Sequence, residues 1–152
     1  MVLSTEYYNH KIIAKWLGDD DEGYYKLVRQ MWHEQEEFIL NEHDIVPWPG
    51  AFCRIWGCEH LLCAYPAPYA GATEGYGYGI GTLRFSKELL SKYPDFMDRP
   101  EANRDWKYID GEVWSYLGHN MGVQIHYHDP PVLHLNKRRL GYEPMRLGLQ
   151  SE

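Results

Sequence analysis

Between Tyr25 and Ile39 apolar side chains return every three or four residues: Tyr25, Val28, Met31, Trp32, Phe38 and Ile39, with Gln35 in the same row. That interval is the 3.6-residue period of an α-helix, so the stretch commits the chain to a long amphipathic helix with one buried stripe. Lys26, Arg29, His33, Glu36 and Glu37 fall on the opposite side. Asp19, Asp20 and Asp21 cap it, and the segment from Asn41 to Pro49 ends it. The stripe predicts Val28, Met31, Trp32 and Ile39 buried, with Glu36 and Glu37 exposed. A shorter helix is predicted ahead of it, capped by Ser4, carrying Tyr8, Ile12 and Trp16 at four-residue spacing, and stopped by Gly18.

From Trp48 onward the pattern changes. Ala51 to Trp56 and His60 to Tyr65 are short apolar runs flanking Gly57 and read as a hairpin of strands. Pro66 to Glu74 reads as loop, and Ser86 caps a short helix from Lys87 to Tyr93 that Pro94 stops. Tyr108 to Leu117 and Val123 to Tyr127 read as strands around the turn from Gly118 to Gly122. Asp129, Pro130 and Pro131 read as a helix start, with Gly141 as its stop and Met145 to Leu149 as a last strand. The expectation is α+β: two N-terminal helices, then a mixed or antiparallel sheet with one or two further helices. With no linker, repeat or low-complexity tract, residues 1–152 are expected to form a single α+β domain.

Composition excludes several classes. A 44% hydrophobic and 24% charged chain is not a disordered one. No apolar run is long enough for a membrane span, and Glu6, Lys11 and Lys15 interrupt any signal-peptide pattern in the first residues. A net charge of −7 argues against general nucleic-acid binding. Three cysteines, an odd number without a secretion signal, point to free thiols in the cytoplasm or another reducing compartment.

Three clusters carry possible chemistry. Cys53, Cys58, His60 and Cys63 have the spacing C-x4-C-x-H-x2-C. Soft thiolates and an imidazole suit zinc, but the C-x2-C pairs of short zinc motifs are absent. On strands, Cys58 and His60 share a face while Cys63 points the other way. The ordinary reading is buried apolar cysteines and no metal. His126 and His128 face one way on a strand, with His119 and His134 close in sequence. A solvated polar edge opposite Val123, Ile125 and Tyr127 is the ordinary reading there, since no carboxylate completes a ligand set. Third, residues 1–50 hold 4 basic and 10 acidic groups, a net of −6, so the excess negative charge is concentrated there.

A fourth segment alternates glycine with tyrosine and isoleucine. Tyr76-Gly-Tyr-Gly-Ile-Gly81 resembles the pyrophosphate-binding turn of the GNAT acyltransferases, Arg/Gln-x-x-Gly-x-Gly/Ala ahead of a helix. Val123 to Tyr127, Asp129 to Arg139 and Leu140-Gly-Tyr-Glu-Pro144 resemble that family's late strand, helix and turn. The likeness runs from Gly75 to Pro144. It implies an acyl-CoA-dependent N-acyltransferase, intact or degenerate in its activity, with Gly77, Gly79 and Gly81 on the phosphates of acetyl-CoA. Tyr76 stands where the family has a basic residue or glutamine, and Lys137 where it has a helix tyrosine. Alternating glycines equally suit a strand held close to other backbone.

No complete catalytic set is present, and the chain is rich in Tyr and Trp, with 13 and 6 respectively. The favoured expectation is therefore a binding protein rather than an enzyme, an inhibitor or assembly component engaging a protein partner with a basic surface. Asp19, Asp20, Asp21, Glu22, Glu36, Glu37 and Trp48 are the expected contact residues.

Overall fold

The computed structural model describes residues 6–7, 10–11, 22–42, 44–68, 78–104 and 111–135. Helix α1, Gly23–Glu34, buries Tyr25, Val28 and Trp32, as the stripe predicts. It ends sooner than the stripe does. Gln35 is left-handed at φ 54°, and its backbone N–H and side-chain amide both donate to the Trp32 carbonyl. Phe38 and Ile39 instead open β3, Phe38–Asn41. So short an apolar run after the stop fits either period, which is why the pattern alone carried the helix through it. The first predicted helix also gives way. Glu6–Tyr7 (β1) and His10–Lys11 (β2) pair as antiparallel strands, and the rest of that stretch lies outside the described residues.

The class is α+β. After β4 (Ile45–Val46) come α2 (Ala51–Trp56), β5 (Leu62–Pro68), β6 (Tyr78–Phe85) and α3 (Lys87–Lys92). A 3-10 turn at Phe96–Asp98 and a π-helix at Glu112–Asn120 follow, then β7 (Ile125–Tyr127) and β8 (Leu133–His134). The main sheet is mixed, in the order β3-β6-β5-β7, with β7 parallel to β5 and the other neighbours antiparallel. A separate antiparallel pair joins β4 to β8. No helix among the described residues is long and apolar enough to cross a membrane.

Three sequence expectations are corrected here. Ala51 to Trp56 is a helix, not a strand. Gly50 at φ 89° starts it, a backbone conformation suited to glycine, and Ala51 and Ile55, one turn apart, are both buried. The described part of Tyr108 to Leu117 is π-helix, with the Met121 N–H reaching the Tyr116 carbonyl at 2.9 Å. Asp129 to Leu135 holds no helix. Arg54 donates to the Asp129 carbonyl at 2.9 Å and Trp48 Nε1 to that of Pro130 at 3.3 Å, so tertiary bonds take what a helix would have used. The short helix after Ser86 forms as predicted, with Ser86 Oγ accepting from the Leu89 N–H at 3.1 Å.

Alternation along β5 and β6 separates two cores. Leu62, Ala64, Leu83 and Phe85 join Tyr25, Val28, Trp32, Leu89, Leu90, Phe96, Val113 and Leu117 in the larger one. Cys63, Tyr65 and Ala67 join Ile45, Ala51, Ile55 and Val132 on the other face. Gly81 borders the smaller core. Gly81 sits where β5 and β6 slip register, and a Cβ there would lie 2.6 Å from Ala67 Cβ and 2.7 Å from Ile45 Cδ1. The described glycines thus occupy a strand that neighbours approach closely, rather than a turn ahead of a helix.

Candidate metal centre

The smaller core faces a cluster of cysteine and histidine that three pieces of chain assemble. β5 supplies Cys63. Its parallel partner β7 places His126 opposite Cys63 in register, and the His128 N–H donates to the Ala64 carbonyl at 2.8 Å. Side chains two apart on a strand share a face, so both imidazoles stand beside the thiol. The short link from α2 to β5 carries Cys58 and His60. It turns at once after α2, with the Gly57 N–H on the Cys53 carbonyl and the Cys58 N–H on that of Ile55. Cys58 and His60 are therefore not on a strand, and the parity that set Cys63 apart from them does not apply.

Two sets of three donors result: Cys58, His60 and His126, and Cys58, Cys63 and His128, each with its donor atoms within 4.8 Å of one another. Zinc–sulfur bonds of about 2.3 Å and zinc–nitrogen bonds of about 2.0 Å put tetrahedral donors about 3.3–3.8 Å apart. The sets differ in depth. Cys63 and His128 are buried, Cys58 and His126 half-buried, and His60 exposed. The His60 and His126 rings stack at 4.1 Å and 8°, while His128 stands edge-on to His126 at 4.8 Å and leans on Tyr65 at 5.1 Å.

Electrostatics prepare the inner set. Burial, then the neighbouring His126 and Arg54, hold the His128 pKa below the ordinary imidazole value, which keeps it in the neutral, ligating form. Its Nε2 is buried without a hydrogen-bond partner. Such an orphan costs about 1–3 kcal/mol of desolvation that a bound ion would offset. Burial, with Cys58 adding to it, pushes the Cys63 thiol up to about 12. At neutral pH Cys63 is thus a thiol and a poor nucleophile, and a cation would replace its proton. Arg84, opposite Cys63 on β6, frames the site. Nε and Nη2 grip both Glu37 oxygens at 2.9 Å, and Nη1 donates to the His60 carbonyl at 2.8 Å and lies 3.8 Å from Cys63 Sγ.

Of the cysteine and histidine candidates from the sequence, Cys58, His60, Cys63, His126 and His128 converge. Cys53 is exposed on α2, His119 is exposed on the π-helix, and His134 faces Asp44 at 3.5 Å; none belongs to either set. The alternation expected for β7 is inverted, since Tyr127 is exposed and His128 buried. His126 and His128 were legible as a pair, but their partners lie more than sixty residues earlier, and only the β5–β7 pairing joins them.

The acidic residues separate. Glu22 precedes α1 and lies 3.8 Å from Lys26, whereas Glu36 and Glu37 follow its C-terminus. A helix of 12 residues keeps the two groups about 18 Å apart. Glu36 pairs with Lys87 at 3.2 Å, Glu37 is half-buried on Arg84, and Trp48 is half-buried edge-on to Tyr65. Asp19, Asp20, Asp21 and Gly77 lie outside the described residues, while Gly79 and Gly81 are in β6.

Compared with protein-family models, with curated proteins and with solved structures, the chain matches none.

Proposed function

We propose that this is a metal-binding protein whose resting site holds a zinc-class divalent ion on Cys58, Cys63 and His128, with one coordination position left to water or a small ligand. Two observations carry the reading: His128 is buried with its Nε2 unpartnered, and a nitrogen of the same ring lies within 4.8 Å of the Cys58 and Cys63 sulfurs. Mixed thiolate and imidazole donors select borderline and soft ions over magnesium or calcium.

The test is cobalt titration of chelator-stripped full-length protein. Wild type is expected to develop thiolate-to-cobalt charge transfer and tetrahedral d–d bands that zinc then quenches. Cys63→Ala and His128→Ala are expected to lose them. Failure of wild type to take up cobalt, or equal spectra from both variants, overturns the reading.

A further inference from the structure

The inner donors are nearly sealed. Cys63 has 0% exposure and His128 8%, so an ion in solution meets neither of them first. A metal site needs a way in as well as ligands. The outer set supplies one. His60 is exposed, His126 half-buried, and Cys58 belongs to both sets. Exposure falls from His60, through the half-buried His126 and Cys58, to the buried Cys63 and His128.

Resting on the metal-binding reading, we propose that Cys58, His60 and His126 form a second, transient metal site that captures the ion from solvent and hands it through Cys58 to Cys63 and His128. Donor chemistry sets the direction. The outer site offers one thiolate and two imidazoles, the inner site two thiolates and one imidazole. Sulfur-rich sets hold a zinc-class ion more tightly, so transfer runs inward. In the first step the ion sheds waters, binds His60 and His126, and displaces the Cys58 proton to solvent. In the second, Cys58 keeps the ion while His60 and His126 leave it. The Cys63 sulfur and a His128 nitrogen replace them, and the Cys63 proton goes to solvent. No electron moves and no oxidant is needed.

The backbone is arranged for side-chain motion alone. β-pairing fixes His126. The His60 carbonyl is held by Arg84 Nη1 at 2.8 Å and accepts from Cys63 Sγ at 3.7 Å. When the ion displaces the Cys63 proton to solvent, that second bond disappears and the Arg84 bond remains. The His60 backbone thus stays anchored while its exposed ring turns. Parallel stacking of the two outer rings at 4.1 Å keeps their donor atoms side by side before any ion arrives.

Stopped-flow cobalt loading of stripped full-length protein tests this. His60→Ala and His60→Asn replace an exposed side chain, and circular dichroism checks that they fold. Both are expected to load roughly tenfold or more slowly, a barrier increase of about 1.4 kcal/mol. The final spectrum and dissociation constant should match wild type, so chelator extraction should slow by the same factor. An unchanged loading rate overturns the proposal. So does a weakened affinity or altered final spectrum, either of which makes His60 a ligand of the resting site and leaves metal binding itself intact. Absence of cobalt uptake by wild type removes both proposals.

Discussion

On one face of the central sheet, Leu62, Ala64, Leu83 and Phe85 meet Trp32, whose ring lies 5.5 Å from Phe85 and 4.7 Å from Phe96. One residue along the same strands, the other face carries Cys63, Thr82 and Arg84, beside His128. The first face is closed by apolar contact, which has no direction and tolerates imperfect alignment. The second depends on individual polar matches. Thr82 Oγ1 donates to Asn41 Oδ1 at 2.7 Å and Arg84 is taken up by Glu37, but His128 Nε2 is left over. Both faces bury apolar side chains, but among the described residues the unpartnered nitrogen at the cysteine–histidine cluster lies on the second.

The sharpest way to break this contrast is Trp32→Ala, which should destabilise by ~3–5 kcal/mol as a fully buried large aromatic, with or without metal. Urea unfolding measures it, and a loss below about 1 kcal/mol would deny the first face its role. Zinc at about 100 times its dissociation constant should add about 2.7 kcal/mol to wild type, and the same increment to Trp32→Ala if that protein stays folded. Cys63→Ala should gain almost none, and a full gain would separate stabilisation from the cluster. Gly81→Ala, which presses on Ala67 and Ile45 in the smaller core, should cost about 1–3 kcal/mol by overpacking. A neutral result would mean that β6 can shift away from Ile45.

The smallest expected effect is at the edge of the larger core. The Arg29 hydrogen bond, followed by His33, holds the Asp98 carboxyl below its ordinary 3.8. A carboxyl lowered on folding contributes stability above its unfolded value, and that contribution disappears as pH falls through the folded one. Stability should therefore decline below about pH 4, and Asp98→Asn should make that slope shallower. An identical slope in the variant would show Asp98 to be merely solvated.

What the sequence revealed follows the range of each signal. The α1 stripe and the Ser86 cap are local and were readable. The end of α1 was not, because Gln35 stops it through its own conformation rather than through a glycine or proline. The strand reading of Ala51 to Trp56 missed that Gly50 turns the chain into a helix. That error then misplaced Cys58 and His60, since strand parity was applied to residues in a loop. The cysteine–histidine cluster was visible as two separate halves, a cysteine-rich set lacking the C-x2-C spacing of short zinc motifs and a histidine pair without a carboxylate to complete it.

The parallel pairing of β5 with β7 has a consequence for assembly. Parallel neighbours need a long crossover, and this one brings Cys63 to His126 only after α3, the 3-10 turn and the π-helix have taken their places. A nascent chain ending before β7 holds Cys58, His60 and Cys63 but neither imidazole of the strand. If the cluster binds a metal as proposed, the full donor set exists only in a finished sheet, and ion uptake would lag behind synthesis. Pairings of such separation are slow to form because loop-closure entropy must be overcome first. A metal that fastened β5, β7 and the α2–β5 link together would hold a long-range joint shut once made.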